Sequence, residues 1–186
     1  MQNDSTWIQT FSGRQFWPLE PRPEDIDIRD VAHSLSMLCR FNGHCREFYS
    51  VAEHCVRVSG ACPAEDALWG LLHDLAEAYF GDFPRPVKEQ FPDIARMEER
   101  LLRAAATRFG LAWPMPAPVR RFDEILLATE ARDLMGLPPA DWRLEAVPLK
   151  AHIVPLSPAE AKRAFLKRFQ ELHREKAPAQ QPDQAP

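Results

Sequence analysis

Residues 65–88 read EDALWGLLHDLAEAYFGDFPRPVK. Leu68, Leu71, Leu72, Leu75 and Tyr79 recur at helical spacing, which predicts one helix over about Glu65–Tyr79. Gly81 ends it, and Pro84 and Pro86 prevent its continuation. Within this apolar run stand His73, Asp74 and Glu77. Positions i and i+4 put His73 and Glu77 on one face, with Asp74 turned by about 100°. That face opposes the leucine stripe only in part, so the three polar groups are expected at the inner rim of a helical bundle. Metal sites in bundles are built at such rims.

Upstream, a helix is predicted from about Ser50 to Ser59, with Val51, Cys55 and Val58 on one face. Another is predicted over Ile28–Arg40, on Ile28, Val31, Ala32, Leu35 and Leu38, broken by Phe41-Asn42-Gly43-His44. Before it, residues 7–11 and 15–17 flank Ser12-Gly13-Arg14 as a small β-hairpin, followed by Pro18, Pro21 and Pro23. Downstream, Ile94, Met97, Leu101, Ala105 and Phe109 describe a helix ending at Gly110, and a further one runs from about Ala117 to Met135. Val147–Pro155 reads as extended. Ser157-Pro158-Ala159-Glu160 is a capping box that launches a last helix carrying Phe165, Leu166, Phe169 and Leu172. The tail from Ala177, rich in Pro, Gln and Ala, is expected to be disordered. The reading is an all-α bundle with a small N-terminal β-hairpin: an arm over 1–27, a core over 28–176 and a tail over 177–186.

A chain of 186 residues is long enough for one domain with a full core. Its net charge of −4 and pI of about 5.9 speak against a nucleic-acid polymer or a membrane surface as partner. Cys39, Cys45, Cys55 and Cys62 form no C-x-x-C pair, which argues against a zinc knuckle or redox motif. They read as reduced thiols of a cytoplasmic protein. The start, MQNDSTWIQTF, has no basic and apolar export pattern, and no apolar stretch reaches the length of a membrane span.

A chain of this composition carries about 0.4 His-Asp pairs by chance, so the dipeptide alone decides nothing. Its context does. His54 lies nineteen residues before His73, and Asp123 opens a later helical stretch. Two imidazoles and two carboxylates suit one divalent transition ion: Mn, Co, Fe, Zn or Ni. Glu77 is left over for the work a metal-bound water needs done, and the set points to a metal-dependent hydrolase. Asp133 rivals Asp123 as the last ligand, because it follows Glu130 on the same helix. His33 reads as a core or helix-surface histidine and His44 as a turn histidine, while His152 and His173 carry no partner pattern. Trp69 and Trp142 read as core or interface aromatics rather than base-stacking platforms. No Walker loop and no H-E-x-x-H helix is present.

The order His, His-Asp, Asp resembles the HD-domain metal-dependent phosphohydrolases over about residues 28–136. "SVAEHCVRVS", "LLHDLAEAYFGDFPRPVK" and "VRRFD" resemble, more closely, the bacterial 5′-deoxynucleotidase branch. The resemblance implies the all-α HD-domain fold, with His54, His73, Asp74 and Asp123 as metal ligands. It implies Glu77 as the residue that positions or deprotonates the attacking water, and Asp82 as the one that orients substrate. An arginine–aromatic pair fourteen residues before the first ligand histidine binds phosphate and packs on the sugar in that branch. Here it falls on Arg40-Phe41, with Phe41 where the branch has Trp. Lys88 offers a further point charge to phosphate, or is a solvated loop lysine.

The expected function is hydrolysis of (deoxy)nucleoside 5′-monophosphates. The alternatives are a deoxynucleoside triphosphate hydrolase, using Arg120 and Arg121 for extra phosphates, and a non-catalytic metal and nucleotide sensor. Glu77 argues against the sensor, since a pure binder needs no water-positioning acid. The acidic pair of alarmone hydrolases is absent after the dipeptide, Glu77 being followed by Ala78, and so is the G-Y-P string of cyclic-dinucleotide hydrolases. Related enzymes imply a homo-oligomer, dimer or higher.

Overall fold

The computed structural model describes residues 6–176, so the tail predicted from Ala177 lies outside the described residues. A two-stranded antiparallel hairpin, β1 (Ile8–Gln9) and β2 (Gln15–Phe16), opens the chain with Ile8 opposite Phe16. Its turn is tied down where Ser12 donates its N–H and its hydroxyl to the buried Asp30 carboxylate, at 2.7 and 2.8 Å. Phe16 is fully buried and stacks on Tyr79, ring centres 3.8 Å apart. The rest is helical: α1 (Ile28–Met37), α2 (Val51–Ala61), α3 (Ala67–Leu72), α4 (Glu77–Phe80), α5 (Arg85–Gln90), α6 (Pro92–Phe109), α7 (Ala117–Leu134) and α8 (Pro158–Lys176). The architecture is all-α with an N-terminal β-hairpin. Among the described residues, no helix is long and apolar enough to cross a membrane.

Helix α2 is the central post, packed against α1, α3, α7 and α8. It starts where the Ser50 side chain accepts the Glu53 N–H at 3.1 Å. Its residues Val51, Ala52 and Cys55 join Val31 and Leu35 of α1, Leu68, Leu71 and Leu72 of α3, and Phe165 of α8 in one apolar core. The α2–α3 approach depends on Gly70: a Cβ there would stand 2.9 Å from Cys62 Sγ and 3.0 Å from Ser59 Cα. Gly70→Ala is therefore expected to cost about 1–3 kcal/mol through overpacking, although alanine is the better helix former. Gly60→Ala, on the same helix pair but with nothing within 4 Å of its Cβ, is expected to be neutral or stabilising. Thermal unfolding of the two variants side by side checks this, Gly70→Ala melting roughly 2–10 °C lower.

Two predicted elements differ. Helix α1 stops at Met37 rather than Arg40, because the chain turns at Leu38 to form an isolated bridge between Cys39 and Ser50. The predicted third helix is interrupted after Leu72 and resumes as α4 at Glu77. Across the break the bonds span three residues, Leu75 N–H to Leu72 O at 3.0 Å and Glu77 N–H to Asp74 O at 3.0 Å. The His73 ring holds the Gly70 carbonyl at 2.9 Å, an acceptor that a continuing α-helix would give to Asp74. Val147–Pro155, expected to be extended, carries no helix and no ladder of its own. Side chains of α2 and α7 satisfy its backbone instead: Thr129 Oγ1 accepts from Leu149 N–H at 2.9 Å, Asp133 from Ile153 at 2.9 Å, and Glu53 from Leu156 at 2.7 Å. The Ser157–Glu160 capping box is present, with Glu160 Oε2 accepting from the Ser157 N–H at 2.9 Å.

Candidate metal centre

Three separate elements deliver the polar cluster. His54 comes from the first turns of α2, His73 and Asp74 from the tightened turn after α3, and Asp123 from the second turn of α7. The two imidazoles meet with Nε2 atoms 3.2 Å apart. His54 Nε2 lies 3.1 Å from Asp123 Oδ1 and 3.6 Å from Asp74 Oδ2. His73 Nε2 lies 3.2 Å from Asp74 Oδ2 and 3.9 Å from Asp123 Oδ1. The structure thus brings His54, His73, Asp74 and Asp123 together. Donors about 2.0–2.2 Å from one ion stand roughly 3–4 Å from each other, which is the spacing found.

The ring tautomers carry the same message. His54 Nδ1 faces Glu130 Oε1 at 2.6 Å, and His73 Nδ1 faces the Gly70 carbonyl at 2.9 Å. Both partners are acceptors, so both Nδ1 atoms carry the proton, and a ring that is neutral aims a bare Nε2 at the other ring and at two carboxylates. Such a concentration of lone pairs demands positive charge. Burial works against a charged His73, yet Asp74 draws its pKa well above the ordinary range. Burial likewise opposes ionised Asp123, but the bond from His54 holds its carboxyl below the ordinary range. A metal cation can take the place of those protons: the donor atoms of His54, His73 and Asp123 lie close enough together to hold one, with Asp74 Oδ2 beside the His73 ring. Cys55 shares His73 and Asp74 as a second possible grouping. Burial pushes its thiol up to about 11, so without an ion it is a neutral S–H.

Glu130 is the residue that sequence reasoning passed over. It is fully buried on α7, and its carboxylate joins two functional groups: Oε1 takes the His54 Nδ1–H, while Oε2 accepts from Arg40 Nε at 3.1 Å and Nη2 at 2.9 Å. The available signal was its position seven residues after Asp123, two helical turns along the same face. Outer carboxylates of this kind fix ligand orientation. Glu130→Gln is expected to weaken metal affinity about 10–100-fold, read by competition with a chelator. Glu130→Ala is expected to cost about 3–5 kcal/mol of stability as well, since it strands the buried Arg40 charge.

Arg40 sits between α1 and α2, where Phe41 and Asn42 take left-handed backbone conformations, φ 55° and 51°. Two of its nitrogens belong to Glu130, and Nη1 stands 3.7 Å from Asp74 Oδ2. Glu77 is buried beside the cluster, its Oε1 3.3 Å from Lys88 Nζ and its Oε2 without a partner among the described residues. Burial, reinforced by Asp74 and Asp82, pushes the Glu77 carboxyl well above the usual range. Lys88 is shared with Glu98 at 2.7 Å, so it is not a solvated lysine. Gly81, at φ 90°, turns the chain out of α4 and leaves Asp82 in the wall of the same cleft. That cleft, about 530 Å³, is polar at Asp74, Glu77, Asp82 and Asp123 and apolar at Phe41, Leu127 and Trp142. Its volume suits a small-molecule ligand.

The rivals find other uses. Asp133 accepts from both ends of the Arg132 guanidinium, from His152 and from the Ile153 N–H, and so anchors the 147–156 segment. His33 stacks on Phe11 with ring centres 3.8 Å apart, and His173 stacks on Phe169. Trp69 is buried and donates to the Ala112 carbonyl at 2.8 Å. Trp142, read as a core or interface aromatic, lines the cleft instead.

No protein-family profile matches the chain. It is 43% identical over 171 residues to the uncharacterized protein YfdR of Escherichia coli (strain K12), an alignment covering 90% of this chain and 96% of that one. It is 37% identical over 169 residues to an uncharacterized protein of Rhodobacter capsulatus, covering 86% of this chain and 79% of that one.

Proposed function

The chain belongs to the family of YfdR, and we propose that it is a metal-dependent phosphohydrolase of the HD-domain kind, acting on (deoxy)nucleoside 5′-monophosphates. One observation carries the reading: two buried imidazole Nε2 atoms meet Asp74 and Asp123, carboxylates that line a cleft, with the buried, half-unpartnered Glu77 beside them. His54, His73, Asp74 and Asp123 would hold one divalent ion, with Mn, Co, Fe, Zn and Ni all compatible with the donor set. Such an ion supplies an acidified water and positive charge against the phosphate oxygens. The protein's own groups do the rest. Glu77 Oε2 would take a proton from the attacking water as the water oxygen bonds phosphorus and the ester P–O bond breaks, and that proton would pass to the departing 5′ oxygen, so that nucleoside and inorganic phosphate leave. Arg40 Nη1 and Lys88 face the phosphate oxygens as hydrogen-bond donors, and Glu130 keeps Arg40 from swinging. Asp82 orients the substrate next to Glu77.

The monophosphate is favoured over the triphosphate because Arg120 and Arg121 are exposed and stand outside the residues lining the cleft. The test is product analysis by chromatography, with protein reloaded with Mn²⁺ or Co²⁺ and given dAMP, AMP and dATP. Deoxyadenosine and phosphate from dAMP are expected. Conversion of dATP to deoxyadenosine, with little action on dAMP, would overturn the monophosphate assignment.

A further inference from the structure

The cleft has a second wall that metal chemistry does not use. From the candidate ligands a chain of contacts leads outward: Asp74 to Arg40 at 3.7 Å, the Arg40 guanidinium over the Phe41 ring at 5.4 Å, and Phe41 to Trp142 with ring centres 6.1 Å apart. Trp142 therefore stands one aromatic ring beyond the group nearest the phosphate site. It is 38% exposed although it is the largest apolar side chain in the lining. Its backbone is set locally, since the Arg143 N–H bonds to Asp141 Oδ1 at 2.8 Å and Arg143 has φ 54°. Among the described residues, the non-glycine positions with positive φ are Phe41, Asn42 and Arg143. All three lie in or next to this aromatic mouth, and backbone strain of that kind gathers where a side chain is held for a ligand.

We propose that Trp142, opposite Phe41, is the platform on which the nucleobase of the substrate stacks, and that it sets the preference for nucleotides over base-free sugar phosphates. The inference rests on the phosphohydrolase reading and deepens it. A purine or pyrimidine offers a flat π-face to an indole whatever its edge carries, so the platform accepts several bases and rejects substrates that have none.

The test compares kcat/KM for dAMP with kcat/KM for deoxyribose 5-phosphate in the metal-loaded wild-type protein, Trp142→Ala and Trp142→Phe. Trp142→Ala is expected to lower the dAMP to deoxyribose 5-phosphate ratio about tenfold, mostly through KM, and Trp142→Phe to restore most of it. A ratio unchanged in Trp142→Ala overturns the proposal, whatever the variant's melting temperature. A second readout needs no turnover: dAMP quenches tryptophan emission of the wild type more than that of Trp142→Phe, and deoxyribose 5-phosphate quenches neither. Should the wild type hydrolyse neither ester, the phosphohydrolase reading falls, and the quenching alone decides the platform. Equal quenching in wild type and Trp142→Phe then overturns it.

Discussion

Replacing His73 by alanine is expected to abolish stoichiometric Mn²⁺ or Co²⁺ binding and to lower phosphatase activity about a thousandfold or more. The size of the effect follows from the geometry. His73 Nε2 lies within reach of His54, Asp74 and Asp123, at 3.2, 3.2 and 3.9 Å, and its own ring is locked by the Gly70 carbonyl. Cys55 is the other candidate donor beside His73, and without an ion burial keeps its thiol protonated. Loss of metal and loss of fold are separated by melting curves. Saturating metal stabilises a site by about 2.7 kcal/mol at a hundredfold excess over Kd, so the wild type should melt higher on adding Mn²⁺ while His73→Ala should not respond. His152→Ala, on an exposed ring whose partner is Asp133, is the control and should keep both metal and activity. A His73→Ala protein that still binds one equivalent of metal would sink the ligand assignment.

The parts legible from sequence were those encoded by short-range pattern. The α2 face, the α6 and α7 stripes and the Ser157 capping box depend on residues within a few turns of one another, and each lies where its periodicity places it. His54, His73 and Asp74 drew notice because such residue types have few other reasons to sit inside apolar helices, and the fold brings Asp123 beside them. What escaped depends on distant parts of the chain. The leucine stripe runs unbroken through His73, so nothing local announces that the helix tightens there; the cause is a side chain competing for the Gly70 carbonyl. Glu130 looks like an ordinary helix glutamate until the fold brings Arg40 and His54 to its two oxygens, across 90 and 76 residues. Trp142 is placed by an irregular segment whose backbone is satisfied from α2 and α7, a device that leaves no periodic trace. The same holds for Val147–Pro155, whose sequence reads as extended without revealing that its backbone bonds go to side chains of α2 and α7.

Glu77→Gln is expected to separate chemistry from metal binding. The amide matches the carboxylate in shape, and its carbonyl oxygen can still accept from Lys88 Nζ, now 3.3 Å from Glu77 Oε1. None of the four candidate ligands is altered, so metal content and KM for dAMP should stay near wild type. What the amide cannot do is take a proton, and kcat is expected to fall about 10²–10⁴-fold, the usual worth of a positioned general base. Stability points in a different direction from activity. Glu77 is buried, crowded by the negative charge of Asp74 and Asp82, and leaves Oε2 without a partner. Such a group is retained for function rather than for folding. A neutral amide escapes the repulsion, so the variant should melt within a few degrees of wild type or above it. A kcat within about threefold of wild type, in protein that holds its metal, would remove Glu77 from the chemistry and leave Asp82 as the remaining carboxyl in the cleft able to serve. A large fall in metal content would mean something else: that the carboxylate shapes the ion's site, and that the division between ligands and base has to be redrawn with Glu77 on the ligand side.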